Sequence, residues 1–208
     1  PQVIMSTSSI PAEGKTTQAI ALTLNLAGLG KKVLLIEGDI RRRTFTNYFD
    51  HDVKHGIVSA ISGEKPLSEV VIHDEALGAD LIMGDRSSAN AADIFSSERF
   101  RALVAELREI YDFVIIDSPP VLVVPDARVI GHSCDAIIYS VKWDSTQKDQ
   151  VQEGIRQLTS VGLRPTGVVL SQVNLKRMKA YGYAYGYGGR YGSYARYGYG
   201  YGREYYDK

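Results

Sequence analysis

Short runs of apolar residues alternate along this chain with longer stretches in which apolar positions recur at helical spacing. Runs that are apolar throughout are typical of strands buried on both faces of a parallel sheet. Strands are predicted at residues 3–5, 33–36, 81–83, 113–116, 136–141 and 167–170. Helices are predicted at about 15–29, 93–110 and 146–161, with a short helix and a turn within 56–78. This alternation predicts a three-layer α/β/α domain with a mainly parallel sheet.

Size and charge narrow the possibilities. The chain has 208 residues and a formal net charge of zero, so there is no general electrostatic case for binding nucleic acid. We expect one domain over residues 1–175 and an appended tail over 176–208. The single cysteine, Cys134, excludes an internal disulfide and is expected to be a buried, inert thiol. The chain opens almost directly into a strand without an initiator methionine, so we expect a piece of a longer protein.

The tail is the most unusual part of the composition. Eleven tyrosines, spaced mostly by glycine, occupy residues 181–206 with no period that would give them a buried face. We expect a flexible segment whose phenol groups are phosphate acceptors, although a sticky segment that self-associates by ring stacking is an alternative. The candidate acceptors are Tyr181, Tyr183, Tyr185, Tyr187, Tyr191, Tyr194, Tyr197, Tyr199, Tyr201, Tyr205 and Tyr206.

A phosphate-binding loop is predicted between the first strand and the first helix. The segment 9–16 ends in Gly-Lys-Thr and has the strand–loop–helix setting that such a loop requires. Backbone N–H groups and the helix N-terminus would hold phosphate oxygens, with Lys15 reaching the β- and γ-phosphates and Thr16 binding Mg²⁺. The nucleotide-binding candidates are Ser9, Pro11, Ala12, Glu13, Gly14, Lys15, Thr16 and Thr17.

Two further strands end in acidic residues at the same edge of the predicted sheet. The strand 33–36 runs into Glu37 and Asp39, and the strand 113–116 runs into Asp117. Carboxylates placed there can orient Mg²⁺ waters, and one can accept the proton of an attacking hydroxyl. The combination with a phosphate loop predicts a site for phosphoryl transfer.

Together these motifs resemble the cytoplasmic kinase domain of the bacterial tyrosine kinases, a family that controls capsule and exopolysaccharide assembly. Residues 9–16 match its Walker A loop, and residues 36–41 match its additional A′ motif of an apolar strand followed by Asp-x-Asp-x-Arg. Residues 113–120 match its Walker B motif, and residues 181–206 match its C-terminal tyrosine cluster. The resemblance covers the whole chain.

The resemblance implies a P-loop NTPase fold and an ATP- and Mg²⁺-dependent autokinase that phosphorylates its own tail, mainly between subunits. By position it assigns charge stabilisation to Lys15 and Mg²⁺ binding to Thr16. It assigns the orientation of the metal and its waters to Asp39 and Asp117, and support of the A′ loop or of a subunit contact to Arg41. A non-kinase ATPase switch is the alternative function, and an inactive binding module is a third.

The implied setting is the cytoplasmic domain of a bacterial inner-membrane protein that regulates polysaccharide polymerisation and export. The implied partners are further copies of the chain in a ring, a protein-tyrosine phosphatase and the export machinery. The family's interface helix precedes its Walker A strand and is absent from these residues, so we expect weaker self-association here.

Three positions depart from the family pattern. Glu37 stands where the family has the first A′ aspartate, and its longer side chain could displace a catalytic or metal contact by about 1 Å. Ala12 replaces a frequent glycine, which matters if the backbone there needs a positive φ. Ser171 stands where relatives often have a base-contacting asparagine, and Asn174 lies three positions on.

Other side chains have ordinary competing interpretations. His51 and His55 have the spacing of a helical metal pair, but no third ligand is evident, so a structural role is expected. Asp126 is expected to cap a helix. Arg41–Arg43 could bind phosphate or form a solvated loop.

Overall fold

The computed structural model of the chain describes residues 1–85 and 90–178. The chain divides into two units, residues 1–172 and 173–208, which is three residues before the boundary expected from the sequence. In the second unit, the Asn174 side chain accepts hydrogen bonds from the backbone N–H groups of Lys176 and Arg177, at 3.1 Å each.

Seven strands form one sheet. They are β1 (Val3–Ser8), β2 (Val33–Glu37), β3 (Ile72–Asp74), β4 (Ala79–Ile82), β5 (Phe113–Asp117), β6 (Ala136–Lys142) and β7 (Gly167–Ser171). Their order is β3-β4-β2-β5-β1-β6-β7, and every neighbouring pair is parallel except β3 with β4. The central strands are buried along their whole length, as their uninterrupted apolar runs predict.

Helices connect the strands. They are α1 (Lys15–Gly28), α2 (Ile57–Ser62), α3 (Leu67–Val70), α4 (Ala91–Ser96), α5 (Glu98–Ile110), α6 (Asp126–Gly131) and α7 (Lys148–Thr159), with a 3₁₀ helix at Thr44–Asn47. One core joins the sheet to α1, and a second joins its other face to α2, α4, α5 and α6. The α/β/α architecture with a mainly parallel sheet is therefore confirmed.

The element boundaries differ from the predictions in a few places. The predicted helix at 93–110 is broken at Ser97, whose extended backbone ends α4 and whose Oγ accepts a hydrogen bond from the Phe100 N–H to begin α5. A serine at this position competes for the backbone and starts a new helix. The third predicted strand, at 81–83, lies instead at Ala79–Ile82, and the segment 56–78 forms two short helices and the antiparallel edge strand β3.

Parallel pairing brings the acidic strand ends together at one edge. In the β2–β5 register Glu37 lies opposite Asp117, and in the β1–β5 register Asp117 lies opposite Ser6, just ahead of the phosphate loop. The carboxyl ends of parallel strands form the ligand-binding edge of open α/β sheets. The fold thus places all three sequence motifs of the domain at one edge.

Candidate active site

The loop between β1 and α1 is bent by two left-handed residues. Gly14 has φ +83°, and Ala12 has φ +66°. The conformation of Ala12 is one that an alanine adopts at a cost, since its Cβ crowds the following carbonyl. The departure from glycine at this position therefore carries backbone strain of about 1 kcal/mol.

Side chains from distant strands fix this loop through its carbonyl groups. The Gln172 Nε2 donates to the Ala12 carbonyl at 2.9 Å, and the Ser171 Oγ donates to the Glu13 carbonyl at 2.6 Å. Ser171 thus supports the phosphate loop from the end of β7. This contact gives a structural role to the position at which relatives often have a base-contacting asparagine.

The Glu13 side chain also holds the loop in place through hydrogen bonds. Its buried carboxylate accepts hydrogen bonds from the Ile10 N–H at 2.7 Å, from the Lys142 N–H at 3.3 Å and from the Thr146 hydroxyl. The side chain therefore faces the protein interior and joins the loop to the end of β6. The Glu13 side chain, predicted as a nucleotide contact, is thus engaged by groups of the protein itself.

The Ser9 side chain is hydrogen-bonded to a residue of the core. The hydroxyls of Ser9 and Tyr139 are hydrogen-bonded at 2.8 Å, and both residues are fully buried. Burial raises the pKa of Tyr139 to about 12, which keeps the phenol neutral. Ser9 replaces the first glycine of the usual motif, so its hydroxyl adds a contact that a glycine lacks.

Lys15, Thr16 and Asp117 form the charged centre of the site. The Lys15 Nζ lies 3.1 and 3.3 Å from the two Asp117 carboxylate oxygens, and the Thr16 hydroxyl donates to one of them at 2.6 Å. Asp39 stands slightly apart, with its Oδ2 at 4.0 Å from the Lys15 Nζ. Burial raises the pKa of Asp117, while Lys15 and the Thr16 hydroxyl oppose that rise. The sequence motifs thus converge on one compact cluster.

Glu37 is oriented away from that cluster. Its Oε1 accepts from the Phe45 N–H at 2.7 Å and its Oε2 accepts from the Gly84 N–H at 2.8 Å, so both oxygens are used inside the protein. Burial raises the pKa of Glu37 to about 7, against the effect of these two hydrogen bonds. Glu37 was predicted as a catalytic group, but its side chain links the segment after Asp39 to the loop after β4 through these two hydrogen bonds.

Arg41 also turns away from the phosphate loop. Its Nε donates to Asp126 Oδ2 at 2.8 Å and its Nη2 lies 3.2 Å from Asp126 Oδ1, while the Asp126 carboxylate is buried. The pair anchors the A′ segment to the first turn of α6, which matches the supporting role expected for Arg41. Asp126 was expected to cap this helix, but Pro125 holds the cap position and the Asp126 side chain binds Arg41.

A cavity of about 610 Å³ opens above these groups. Of the predicted site residues, Pro11, Ala12, Gly14, Lys15, Thr16, Thr17 and Asp39 line it. Seven further residues line it: Arg42 and Pro120, which lie in segments already noted in the sequence, and Thr44, Asn47, Tyr48, Lys142 and Gln172, which the sequence did not single out. No motif marks the last five positions, because their approach to the loop depends on the fold alone.

Thr44 is conspicuous among the residues that line the cavity. Its Oγ1 is buried and has no hydrogen-bond partner among residues 1–85 and 90–178. A buried hydroxyl without a partner costs about 1–3 kcal/mol, so this group is suited to a bound ligand.

The donor set fits a magnesium nucleotide. Mg²⁺ prefers oxygen ligands and is ordinarily held by one or two carboxylates together with phosphates and water, which suits Thr16, Asp39 and Asp117. Lys15 supplies positive charge for the phosphates, and the N-terminus of α1 supplies unpaired N–H groups. Across residues 1–85 and 90–178, no group of three or more His, Cys, Asp and Glu side chains is placed to hold a metal ion.

The remaining predicted residues have structural surroundings. His51 is hydrogen-bonded to Asp74 at 2.9 Å and His55 to Ser59 at 3.3 Å, which gives each a local partner. Cys134 is largely enclosed, and burial raises its pKa to about 12, as expected for an inert thiol. The candidate acceptor tyrosines, from Tyr181 to Tyr206, lie outside the described residues. Within the part of the chain that is described, no helix combines the length and the apolar character of a membrane span.

Comparison with known proteins identifies the family of this chain. The family model described as an AAA domain matches residues 11–175. The tyrosine-protein kinase CpsD of Streptococcus pneumoniae is 32% identical over 192 residues, which cover 92% of this chain and 84% of that protein. The tyrosine-protein kinase Etk of Escherichia coli K12 is 29% identical over 87% of this chain, but the match spans only 25% of Etk. The chain thus covers about a quarter of the length of several of its curated relatives.

Solved structures extend the likeness to three dimensions. The VpsO kinase domain superposes with a TM-score of 0.78 at 34% identity, covering 83% of this chain and 85% of that domain. Cobyrinic acid a,c-diamide synthase from Mycobacterium smegmatis, solved with an ATP analogue and magnesium, has a TM-score of 0.71 at 18% identity. It covers 86% of this chain and 78% of that one, and shows the shared fold alone. The motifs, the geometry and these matches agree that the chain belongs to the AAA-domain family and, within it, to the bacterial tyrosine kinases, whose kinase domain it contains.

Proposed function

We propose that the chain transfers the γ-phosphate of ATP to tyrosines of its own C-terminal cluster, with Mg²⁺ as the metal. The observation that supports this most directly is the convergence of Lys15, Thr16 and Asp117 within 3.3 Å of one another, with Asp39 lining the same cavity. Phosphoryl transfer needs positioning and charge neutralisation more than covalent help from the protein, and this cluster supplies both.

In this reaction the bond between the γ-phosphorus and the β–γ bridging oxygen breaks, and a bond to the phenolic oxygen forms. Lys15 holds positive charge where negative charge accumulates on the leaving group, and Thr16 offers its hydroxyl oxygen to the metal. Bound Mg²⁺ would neutralise part of the charge on the phosphates. The phenol proton passes to a carboxylate, and Asp39 is the acidic residue that lines the cavity. ADP and phosphotyrosine are the products.

Asp117 has a supporting role in this scheme. Its side chain is fully buried and already engaged by Lys15 and Thr16, and it does not line the cavity. It therefore orients both groups and the metal's water ligands, while Asp39 faces the reacting atoms. The difference in their surroundings supports different roles for the two carboxylates.

Transfer mainly between subunits is part of the proposal. A glycine-rich tail attached to the domain is held at high effective concentration near neighbouring copies in an assembly. Each phosphate adds about −1.5 to −2 charges, so several on one tail would repel one another and favour separation of the subunits. We place this cycle in the regulation of exopolysaccharide polymerisation and export, in the cytoplasmic domain of a bacterial inner-membrane protein. Partners would be further copies of the chain, a protein-tyrosine phosphatase and the export machinery.

Mass spectrometry of the purified protein after incubation with Mg²⁺–ATP tests the activity. Phosphate on Tyr181–Tyr206 in the wild type, and none in Lys15→Met, is the expected result. Lys15→Arg is the matched control for charge, because it keeps the positive charge but changes the shape of the donor.

Release of inorganic phosphate without phosphotyrosine would contradict the proposal and favour an ATPase switch. Since the proposal has transfer mainly between subunits, the same assay is repeated at a higher protein concentration, which favours contact between copies of the chain. An unmodified tail there too would refute autokinase activity.

A further inference from the structure

The segment that follows Asp39 forms one wall of the cavity. Arg42, Thr44, Asn47 and Tyr48 line the cavity from this side, and we refer to them as the 42–48 wall. The wall is firmly anchored, because Phe45 between them is fully buried and donates its N–H to Glu37 at 2.7 Å. Phe45 also packs edge-on against Phe49, with the ring centroids 5.5 Å apart. The lining side chains therefore project from a fixed backbone.

Within the described part of the chain, the polar and aromatic groups of the wall have unused binding capacity. The hydroxyl of Thr44 is buried without a partner. Among residues 1–85 and 90–178, the side chains of Arg42, Asn47 and Tyr48 make no hydrogen bond or ion pair, and the Tyr48 ring, 51% exposed, stacks on no other ring. An aromatic ring, an amide, a hydroxyl and a guanidinium thus face a cavity with their binding capacity free.

The wall follows in the chain the acidic residue proposed to accept the phenol proton, Asp39. Lys15, which reaches the β- and γ-phosphates, lies 4.0 Å from Asp39, and the wall begins three residues after Asp39. Ala12, Lys142 and Gln172 line the cavity at the start of the phosphate loop. Since the attacking oxygen must approach the γ-phosphorus in line from the side opposite the leaving group, the acceptor enters on the side of the wall.

We infer that the 42–48 wall is the binding subsite for the acceptor tyrosine, and this rests on the proposed function. The Tyr48 ring offers a face for offset or edge-on contact with the incoming phenol ring. Thr44 and Asn47 offer hydrogen bonds to the acceptor's hydroxyl or backbone. The ligand class is a tyrosine flanked by glycine in an extended peptide, because flanking residues without side chains let one ring enter the cavity alone. The tail supplies three such residues, Tyr187, Tyr199 and Tyr201.

The test uses the full chain, Mg²⁺–ATP and a synthetic peptide with the sequence of residues 197–202, Tyr-Gly-Tyr-Gly-Tyr-Gly. Tyr48→Ala is expected to raise the KM for the peptide about tenfold, which corresponds to about 1.4 kcal/mol, and to change the KM for ATP less than twofold. Tyr48→Phe keeps the ring and should stay within about threefold of the wild type. Thr44→Val should raise the peptide KM by a similar factor to Tyr48→Ala, since it removes the unpartnered hydroxyl.

Thr46→Val is the matched control for Thr44→Val. The Thr46 side chain is exposed, and its hydroxyl donates to the Arg43 carbonyl oxygen at 3.1 Å. It does not line the cavity, so the KM values for ATP and for the peptide should both match the wild type. A higher KM for ATP in Tyr48→Ala with an unchanged peptide KM would overturn the inference and assign the wall to the nucleotide. Unchanged values for both substrates would overturn it too.

Peptide binding separates this inference from the kinase proposal. Fluorescence anisotropy of the labelled peptide with the full chain and Mg²⁺–ADP requires no turnover. Binding to the wild type that weakens about tenfold in Tyr48→Ala supports the wall even if no phosphotyrosine is ever formed. Equal binding by both proteins, or no binding by the wild type, refutes it.

Discussion

Replacing Gly154 by alanine tests the packing beneath the phosphate loop. Gly154 lies inside α7, where a Cβ atom would come within 1.9 Å of the Tyr139 hydroxyl oxygen and 3.2 Å of its Cζ. That hydroxyl is the partner of Ser9 in the phosphate loop, at 2.8 Å. The methyl group therefore cannot be accommodated unless the Tyr139 ring moves and its contact with Ser9 is lost.

The magnitude follows from three opposing effects. In a helix interior, glycine to alanine stabilises by about 1 kcal/mol. Overpacking a rigid core costs about 2 kcal/mol, and loss of the buried hydrogen bond between Tyr139 and Ser9 costs about 1 kcal/mol more. The net effect of Gly154→Ala is a loss of about 2 kcal/mol in the free energy of unfolding. In a Tyr139→Phe background the clashing oxygen is gone and the remaining 3.2 Å contact needs only a small shift. Gly154→Ala should then be neutral or stabilising by up to about 1 kcal/mol.

Urea denaturation of four proteins measures this reversal: the wild type, Gly154→Ala, Tyr139→Phe and the double variant. Tyr139→Phe alone should cost about 1 kcal/mol, because it leaves the Ser9 hydroxyl without its partner. A coupling free energy of about 2–3 kcal/mol between the two sites is expected. If Gly154→Ala has the same effect in both backgrounds, or stabilises the wild type, the packing argument is refuted.

Three further predictions concern buried groups. In the folded state the pKa of Glu37 is raised from 4.5 to about 7, so between these pH values the native state retains a proton that the unfolded state releases. The free energy of unfolding should therefore fall by about 3 kcal/mol as the pH rises from about 4.5 to 7. Glu37→Gln should flatten this pH dependence, measured by urea denaturation at a series of pH values. Arg41→Ala should lower the free energy of unfolding by about 2 kcal/mol, because it leaves the buried Asp126 carboxylate unpaired. Arg41→Lys keeps a positive charge and should lower it less. Equal decreases for the two variants would contradict the ion-pair explanation. Gly56→Ala should lower the melting temperature strongly, because its Cβ would lie 2.1 Å from the Met83 carbonyl oxygen; Gly63→Ala, with open space around it but a positive φ, should cost only about 1 kcal/mol.

The central part of the fold could be predicted because its signals are local. The run of residues 33–36 is apolar and fully buried, so its composition reveals both its type and its depth. The break at Ser97 could not be predicted from periodicity, since the apolar positions on both sides of it fit one continuous helix. It results from one serine side chain that binds a backbone N–H, an interaction that a hydrophobic pattern does not register.

The site was predictable to a similar extent. Lys15, Thr16 and Asp117 meet because their positions at strand ends are set by the parallel register, which the motifs already imply. The direction of Glu37 is different, because it depends on the backbone N–H groups of Phe45 and Gly84, which come from separate loops. Chain order shows which edge of the sheet a side chain reaches, but not whether it points outward to ligand or inward to the protein.

The same distinction explains how the phosphate loop retains its shape with Ala12 in place of glycine. The strained φ of +66° at Ala12 is held by the Gln172 side chain on its carbonyl, and Gln172 itself has a positive φ of 53°. Glu13 holds the next part of the loop from beneath, and Ser171 binds its carbonyl. Strained backbone persists where surrounding contacts over-determine it, and four side-chain hydrogen bonds to this short segment meet that condition. A substitution that seems damaging when the motif is read alone is therefore supported by residues about 160 positions away in the chain, at the end of β7.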